Sequence, residues 1–317
     1  MRSILVTGCA GFIGSHLTEF LLKKYPEDTI FGVDNFDDFY SKDLKEKNLL
    51  KSISHSNFKF YELDLRDTSS YSKLPNCEVI VHLAAKAGVR PSIQNPLAYI
   101  DYNITATQQL LEWMKDNQMS KLVFASSSSI YGNNKKVPFS ETDNVDHPIS
   151  PYAFTKKACE LLTHTYYHLY GFSVINLRFF TVFGPRQRPD LAINKFVSSI
   201  MANEEIEMYG DGSTARDYTY IADIVEGISN AIDYVQNHNC YETINLGNSN
   251  PIRLTTLIET IEMELKKKAK ILARPMQEGD VDITFADIDR AKNLLSYQPK
   301  ISIKEGIRQF IEWKKVN

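Results

Sequence analysis

The chain has 317 residues, 43% hydrophobic and 24% charged, the balance of an ordinary globular protein with a large core and two lobes. Its net charge is −3 with no long basic run, which excludes a nucleic-acid or anionic-membrane partner. Cys9, Cys77, Cys159 and Cys240 form no C-x-x-C pair, so neither zinc nor another metal nor a disulfide framework is expected, and a reducing cytoplasm fits. The opening apolar run, "RSILVTG", is too short for a signal peptide or a membrane span, and no later run reaches membrane length.

In chain order, "SILVTG", "TIFGVD", "FKFYEL", "EVIVHLAA", "KLVFASS" and "SVINLRFF" read as strands. Several are apolar on both faces, as parallel strands covered by helices must be. Amphipathic stretches lie between them, among them Ile13–Lys24, Ile104–Lys115 and Tyr152–Tyr170. This alternation predicts an α/β fold, a Rossmann-type doubly wound parallel sheet. After Thr181 the rhythm breaks into the basic, loop-like "VFGPRQRPDLAINKF", a helical stretch and a short strand, "IEMYG". "IADIVEGISNAIDYV" and "ETINLG" return to helix and strand, and "ELKKKAK" reads as an exposed helix face before an edge strand. The pattern predicts a dinucleotide-binding domain over 1–180, with return segments near 221–247. A smaller, discontinuous mixed α/β substrate domain is drawn from 181–317.

"VTGCAGFIGSHL" places Gly8, Gly11 and Gly14 three apart, after the first strand and at the head of a helix that includes Phe12, Ile13 and Gly14. Glycines there permit a tight turn and close approach to a pyrophosphate, whose charge meets the helix N-terminus. Asp34, followed by Asn35, closes the second strand, where a carboxylate accepts from both ribose hydroxyls and repels a 2′-phosphate. NAD is therefore expected rather than NADP. Asp64 and Leu65 are placed to meet the adenine, and Leu83, Ala84 and Ala85 of "HLAA" to let the cofactor pass close to backbone.

"SPYAFTKKACE" reads as a helix start, with Ser150 as cap and Pro151 in the first turn. Tyr152 and Lys156 then lie one turn apart on one face. The fifth strand ends in four serines, Ser126 to Ser129, so hydroxyl, phenol and ammonium converge at the carboxyl edge of the sheet. For a phenol of pKa about 10 to act as base near pH 7, the anion needs roughly 4 kcal/mol of relative stabilisation. Lys156 and the positive nicotinamide are the expected sources.

With these motifs in place, the chain resembles the extended short-chain dehydrogenase/reductases, specifically their NAD-dependent nucleotide-sugar epimerases. The likeness runs through "HLAA", "SSSSIYG", Y-x-x-x-K, "RFFTVFGPRQRPD", "RDYTYIADI" and "ADIDRAKNLLSY". It implies Ser127 as the catalytic hydroxyl beside Tyr152 and Lys156, tightly held NAD, a UDP-sugar substrate and a homodimer paired through a four-helix bundle. The related dehydratases carry Asp-Glu after the catalytic residue and the decarboxylases Ser-Glu; here Ser128 and Ser129 stand there. That leaves C4 epimerisation through a 4-keto sugar.

"DNFDDFYSKDLKEKNL", "HLAAKAGVRPSIQNP" and "VPFSETDNVDHPIS" resemble the corresponding stretches of UDP-glucuronate 4-epimerases. The resemblance implies that Arg188 holds the sugar carboxylate, with Thr181, Ser128 and Ser129 assisting and Arg186 close by. It assigns Arg216 and Asp280 to the nucleotide, adds Arg90 and Asn176, and has Gln277 where an Arg is common. UDP-glucuronate to UDP-galacturonate is the expected conversion. UDP-glucose or UDP-N-acetylglucosamine is the alternative, the latter because Thr284 is small. A dinucleotide-sensing regulator on the same fold is the rival from another class, and such proteins commonly lose the Tyr or the Lys.

Overall fold

The computed structural model describes residues 1–276 and 281–316. Strand β1 (Ser3–Thr7) sends Ile4 and Val6 into one apolar cluster and Leu5 into another, and all three are fully buried. The same division of alternate residues recurs along the central strands, because helices cover both faces of the sheet. In chain order β1 is followed by α1 (Phe12–Lys24), β2 (Thr29–Asp34), α2 (Lys42–Ile53), β3 (Phe58–Glu62) and β4 (Val79–His82). Next come α3 (Val89–Gln94), α4 (Pro96–Tyr99), α5 (Ala106–Asp116), β5 (Lys121–Ser127), α6 (Pro151–Tyr170) and β6 (Ser173–Phe179).

Beyond β6 lie β7 (Thr181–Phe183), α7 (Ala192–Ala202), β8 (Glu205–Tyr209), β9 (Ala215–Tyr220) and α8 (Ile221–Asn237). They are followed by β10 (Tyr241–Leu246), β11 (Pro251–Arg253), α9 (Leu254–Leu265), β12 (Lys270–Arg274), α10 (Asp289–Leu295) and α11 (Ile303–Val316). The main sheet has seven strands in the order β10-β6-β5-β4-β1-β2-β3, all parallel. α8 carries the chain back so that β10 adds beside β6, with Ile244 opposite Leu177. The other strands form a three-stranded sheet, β11-β9-β7, and a β12-β8 pair.

Two elements differ from the sequence pattern. α2 buries Lys45, Asn48, Leu49 and Ser52, so its inner face is mostly polar and carries no apolar period. The helix expected from Ile104 begins further upstream, at Pro96 behind an Asn95 cap, and passes through a π-helical turn at Ile100–Thr105 before α5. A π turn inserts a residue and shifts the 3.6-residue period, so only the part after it reads as amphipathic. Among the described residues, no helix is long and apolar enough to cross a membrane.

Candidate active site

The strand order reverses between β1 and β4, and the crevice at their carboxyl ends is where ligands of such sheets bind. It holds a cleft of about 510 Å³ that adjoins a second chamber of about 600 Å³; Thr181, Arg188 and Arg216 line both. At Gly8, with φ +69°, a Cβ would lie 2.9 Å from the Ala84 backbone, and at Gly14 it would lie 2.1 Å from the Gly8 carbonyl. Both positions need glycine, and the turn exposes the head of α1 to an anion.

Behind the turn, Thr7 Oγ1 accepts from the N–H groups of Leu83 and Ala84, both at 3.1 Å, so its own proton goes to His82 Nδ1 at 2.7 Å. His82 is therefore the Nε2–H tautomer, donating to Thr107 Oγ1 at 3.0 Å, and burial lowers its pKa to about 3. Asp34 accepts from the N–H groups of Ala10 at 3.1 Å and Phe36 at 2.9 Å. Burial raises its pKa, and the Phe36 N–H, the Lys45 ammonium and the Ala10 N–H oppose that rise. Just past β3, Arg66 donates to both Asp64 oxygens, at 3.0 and 2.7 Å, holding that carboxyl at a pKa of about 2, and Asn35 donates to it at 2.9 Å.

On the opposite wall, β5 ends at Ser127, and Ser128 and Ser129 continue into a 3-10 turn. α6 starts as expected: Ser150 Oγ accepts from the Ala153 N–H at 3.1 Å and Pro151 occupies the first turn. Ser127 and Tyr152 line the same chamber, and Ser127 Oγ accepts from the Ser129 N–H at 3.1 Å. Burial raises the phenol pKa, while the nearby Ser127 hydroxyl and the Arg188 charge lower it. Lys156 Nζ gives one of its three donors to the Ala125 carbonyl at 2.6 Å, one helical turn beyond Tyr152 against β5. Burial lowers its pKa to about 8, against the influence of Cys159 and Glu160. Below it, Arg178 pairs with Glu160 through two bonds of 2.9 Å, both side chains being 5% exposed or less. Glu160 also accepts from Ser126 Oγ at 2.6 Å, tying α6 to the end of β5.

Every residue expected at the cofactor, from Gly8 to Lys156, lines the first chamber, as do Ser128, Ser129, Thr181, Arg188, Arg216 and Thr284. Arg90 lines only the second chamber, where its guanidinium carbon lies 5.1 Å from the Tyr209 ring centre. Two expectations fail. Asn176 is fully buried on β6, accepting from Thr163 Oγ1 at 3.0 Å, because its side chain faces α6 rather than the strand end. Arg186, at φ +65°, turns back to pair with Glu19 of α1 at 2.6 Å, so two residues apart it points away from Arg188. Asp280 and Gln277 lie outside the described residues.

The sequence profile of the GDP-mannose 4,6 dehydratase family matches residues 5–310. The chain belongs to this family. Within these extended short-chain dehydrogenases/reductases, it is 45% identical over 321 residues to a UDP-glucuronate 4-epimerase of Thermodesulfobacterium geofontis, covering 100% of this chain and 97% of the relative. A UDP-glucuronic acid 4-epimerase of Bacillus cereus, solved with UDP-glucuronic acid and NAD, superposes with a TM-score of 0.93 at 34% identity, covering 99% and 100% of the two chains. A UDP-N-acetylglucosamine 4-epimerase of Methanobrevibacter ruminantium, solved with UDP-N-acetylmuramic acid, gives 0.89 at 30% identity, covering 99% and 98%.

Sequence reasoning about the family motifs missed several groups in the cleft. Lys86 and Asp37 form an ion pair at 3.0 Å, and Arg66 lies with its guanidinium carbon 3.7 Å from the Tyr102 ring centre. Behind the cleft lining, buried Asn103 of the π turn accepts from the Lys86 N–H at 2.8 Å and donates to Thr155 of α6 at 2.9 Å. The only local signal for it was a helix whose apolar pattern begins too late.

Proposed function

We propose that the protein is an NAD-dependent UDP-sugar 4-epimerase whose substrate is UDP-glucuronate. The observation that carries this reading is one cleft lined together by Ser127, Tyr152, Lys156 and Arg188. The glycine positions at Gly8 and Gly14, and the Asp34 carboxylate at the end of β2, fit a dinucleotide with an unmodified ribose. NAD, when bound, supplies the acceptor for a hydride from C4 and returns it to the other face of the sugar. Tyr152 takes the proton of the C4 hydroxyl, with Ser127 donating and accepting at once as relay. Arg188 holds the carboxylate, which a guanidinium does through paired hydrogen bonds. Oxidation at C4 makes a β-keto acid, and a restrained carboxylate resists loss of carbon dioxide. Ser128 and Ser129 place no acid there to repel it.

In this reading the seven-stranded sheet binds the cofactor and the part beyond β6, apart from α8 and β10, holds the UDP-sugar. Arg216 and Arg90 serve the diphosphate side of the second chamber. Phe154, Leu161 and Leu169 make an exposed apolar stripe on α6, which supports a homodimer through paired helices. Free cysteines support a cytoplasmic location.

Two measurements test the proposal. The purified protein, denatured without added cofactor, should release NAD; recovery of NADP would overturn the role of Asp34. Incubated with UDP-glucuronate, UDP-glucose and UDP-N-acetylglucosamine, it should convert the first to its C4 epimer. Turnover of UDP-N-acetylglucosamine alone would favour the second reading, which the small Thr284 side chain in the cleft supports.

A further inference from the structure

The segment after β2, part of "DNFDDFYSKDLKEKNL", has no part in the chemistry above, yet it lines the cleft with Asp37, Phe39 and Tyr40. Asp37 Oδ1 accepts from the Phe39 N–H at 3.0 Å, closing a tight turn. Lys86, from the loop after β4, donates to both Asp37 oxygens at 3.1 and 3.0 Å, and Lys45 of α2 donates to the Asp37 carbonyl. The Asp37 and Lys86 side chains are each 16% exposed, so the pair is shielded rather than solvated. Held from two sides, the turn sets the Phe39 ring centre 5.1 Å from the Arg188 guanidinium carbon.

Arg188 stands on the irregular stretch between β7 and α7, where no backbone ladder fixes it. Asp190 takes its Nε and Nη2 at 2.9 and 2.8 Å, which fixes one edge of the group. An aromatic ring against the guanidinium holds it by a second surface and limits the rotamers of a long side chain. We propose that Phe39 is a positioning residue for Arg188, and that the turn at residues 37–40 thereby sets selectivity for UDP-sugars that carry a carboxylate. This rests on the reading of Arg188 as the carboxylate clamp.

The test uses holoenzyme in a Tyr152→Phe background, which binds without turning over, and calorimetric titration with UDP-glucuronate and UDP-glucose. Phe39→Leu, which keeps apolar volume but removes the ring, should weaken UDP-glucuronate by about 5–10-fold and UDP-glucose by less than about twofold. Phe39→Tyr should restore the difference. With Tyr152 present, Phe39→Leu should raise the share of decarboxylated UDP-pentose among the products. NAD content is measured on every variant, so that cofactor loss is not read as sugar selectivity. Equal weakening of both sugars, or no rescue by Tyr, overturns the proposal. Arg188→Ala separates the two layers: if it is selective while Phe39→Leu is silent, only the role of Phe39 falls. If it weakens both sugars alike, the clamp falls and the proposal with it. Should Phe39→Leu fail to fold, Asp37→Asn, which releases Lys86 and loosens the turn, carries the same expectation.

Discussion

Ser127, Tyr152 and Lys156 stand at the ends of β5 and α6, whose backbone ladders and the buried Glu160–Arg178 pair hold them in place. Arg188 and Phe39, across the same cleft, stand on turns held by side chains: Asp190, Asp37 and Lys86. The proposed proton chemistry thus sits on regular structure, and the proposed sugar selectivity sits on loops. Loops can be re-dressed without moving the acid–base pair, which is how one scaffold accommodates different substrates. If this contrast is right, damage to the first wall should abolish turnover or fold, while damage to the second should change which sugar is used.

The largest effect is expected from Tyr152→Phe, which keeps the ring and removes the base. Turnover should fall by about two to four orders of magnitude with the circular dichroism spectrum unchanged. Near-normal turnover would break the assignment of chemistry to this wall. Glu160→Ala leaves the Arg178 guanidinium buried without its carboxylate partner, and urea titration should show a loss of about 3–5 kcal/mol. A cost below about 1 kcal/mol would mean that the ladders alone hold the wall, since that is the range of an exposed pair.

On the loop wall, Arg188→Ala should cost roughly 2–5 kcal/mol in UDP-glucuronate transition-state binding, read from kcat/KM, with stability almost unchanged and residual UDP-glucose turnover much less affected. Equal losses for both sugars would erase the contrast between the walls.

The last prediction returns to Lys156 and concerns pH. Burial lowers its pKa to about 8, whereas in the unfolded chain it keeps its proton to about 10.4. Between those values the unfolded state binds more protons, so the contribution of Lys156 to stability rises with pH; below about pH 8 the folded protein bears the full cost of a buried charge. Lys156→Met, freed of NAD, should therefore melt higher than the parent at pH 7, by an amount on the order of 3 kcal/mol in stability. That advantage should shrink between about pH 8 and 10.4, as thermal scans at stepped pH would show. A constant difference across that range would mean that Lys156 is not titrating there.

What the chain order alone determined is the part built from repeating backbone. Alternating apolar strands and amphipathic helices specified the parallel sheet, because period and length are local properties. The Gly8–Gly14 turn, Asp34 and the Tyr152–Lys156 pair were legible for the same reason: each is a short fixed spacing on one element. Even the return of α8 and β10 to the main sheet left a trace as a renewed helix–strand rhythm. Tertiary structure decided the rest. Arg186 and Arg188 lie two residues apart in a basic loop, and only the path of that loop sends one to Glu19 and the other into the cleft. Asn176 was buried by the packing of β6 on α6, and Lys156 was drawn to the Ala125 carbonyl by the depth of α6 against β5. Phe39 and Lys86 lie 47 positions apart, and only the crossing of the β2 and β4 loops brings both to Asp37 and sets Phe39 beside Arg188. Contacts between loops depend on how strands are ordered in the sheet, and strand order is a non-local property that no short stretch of sequence carries.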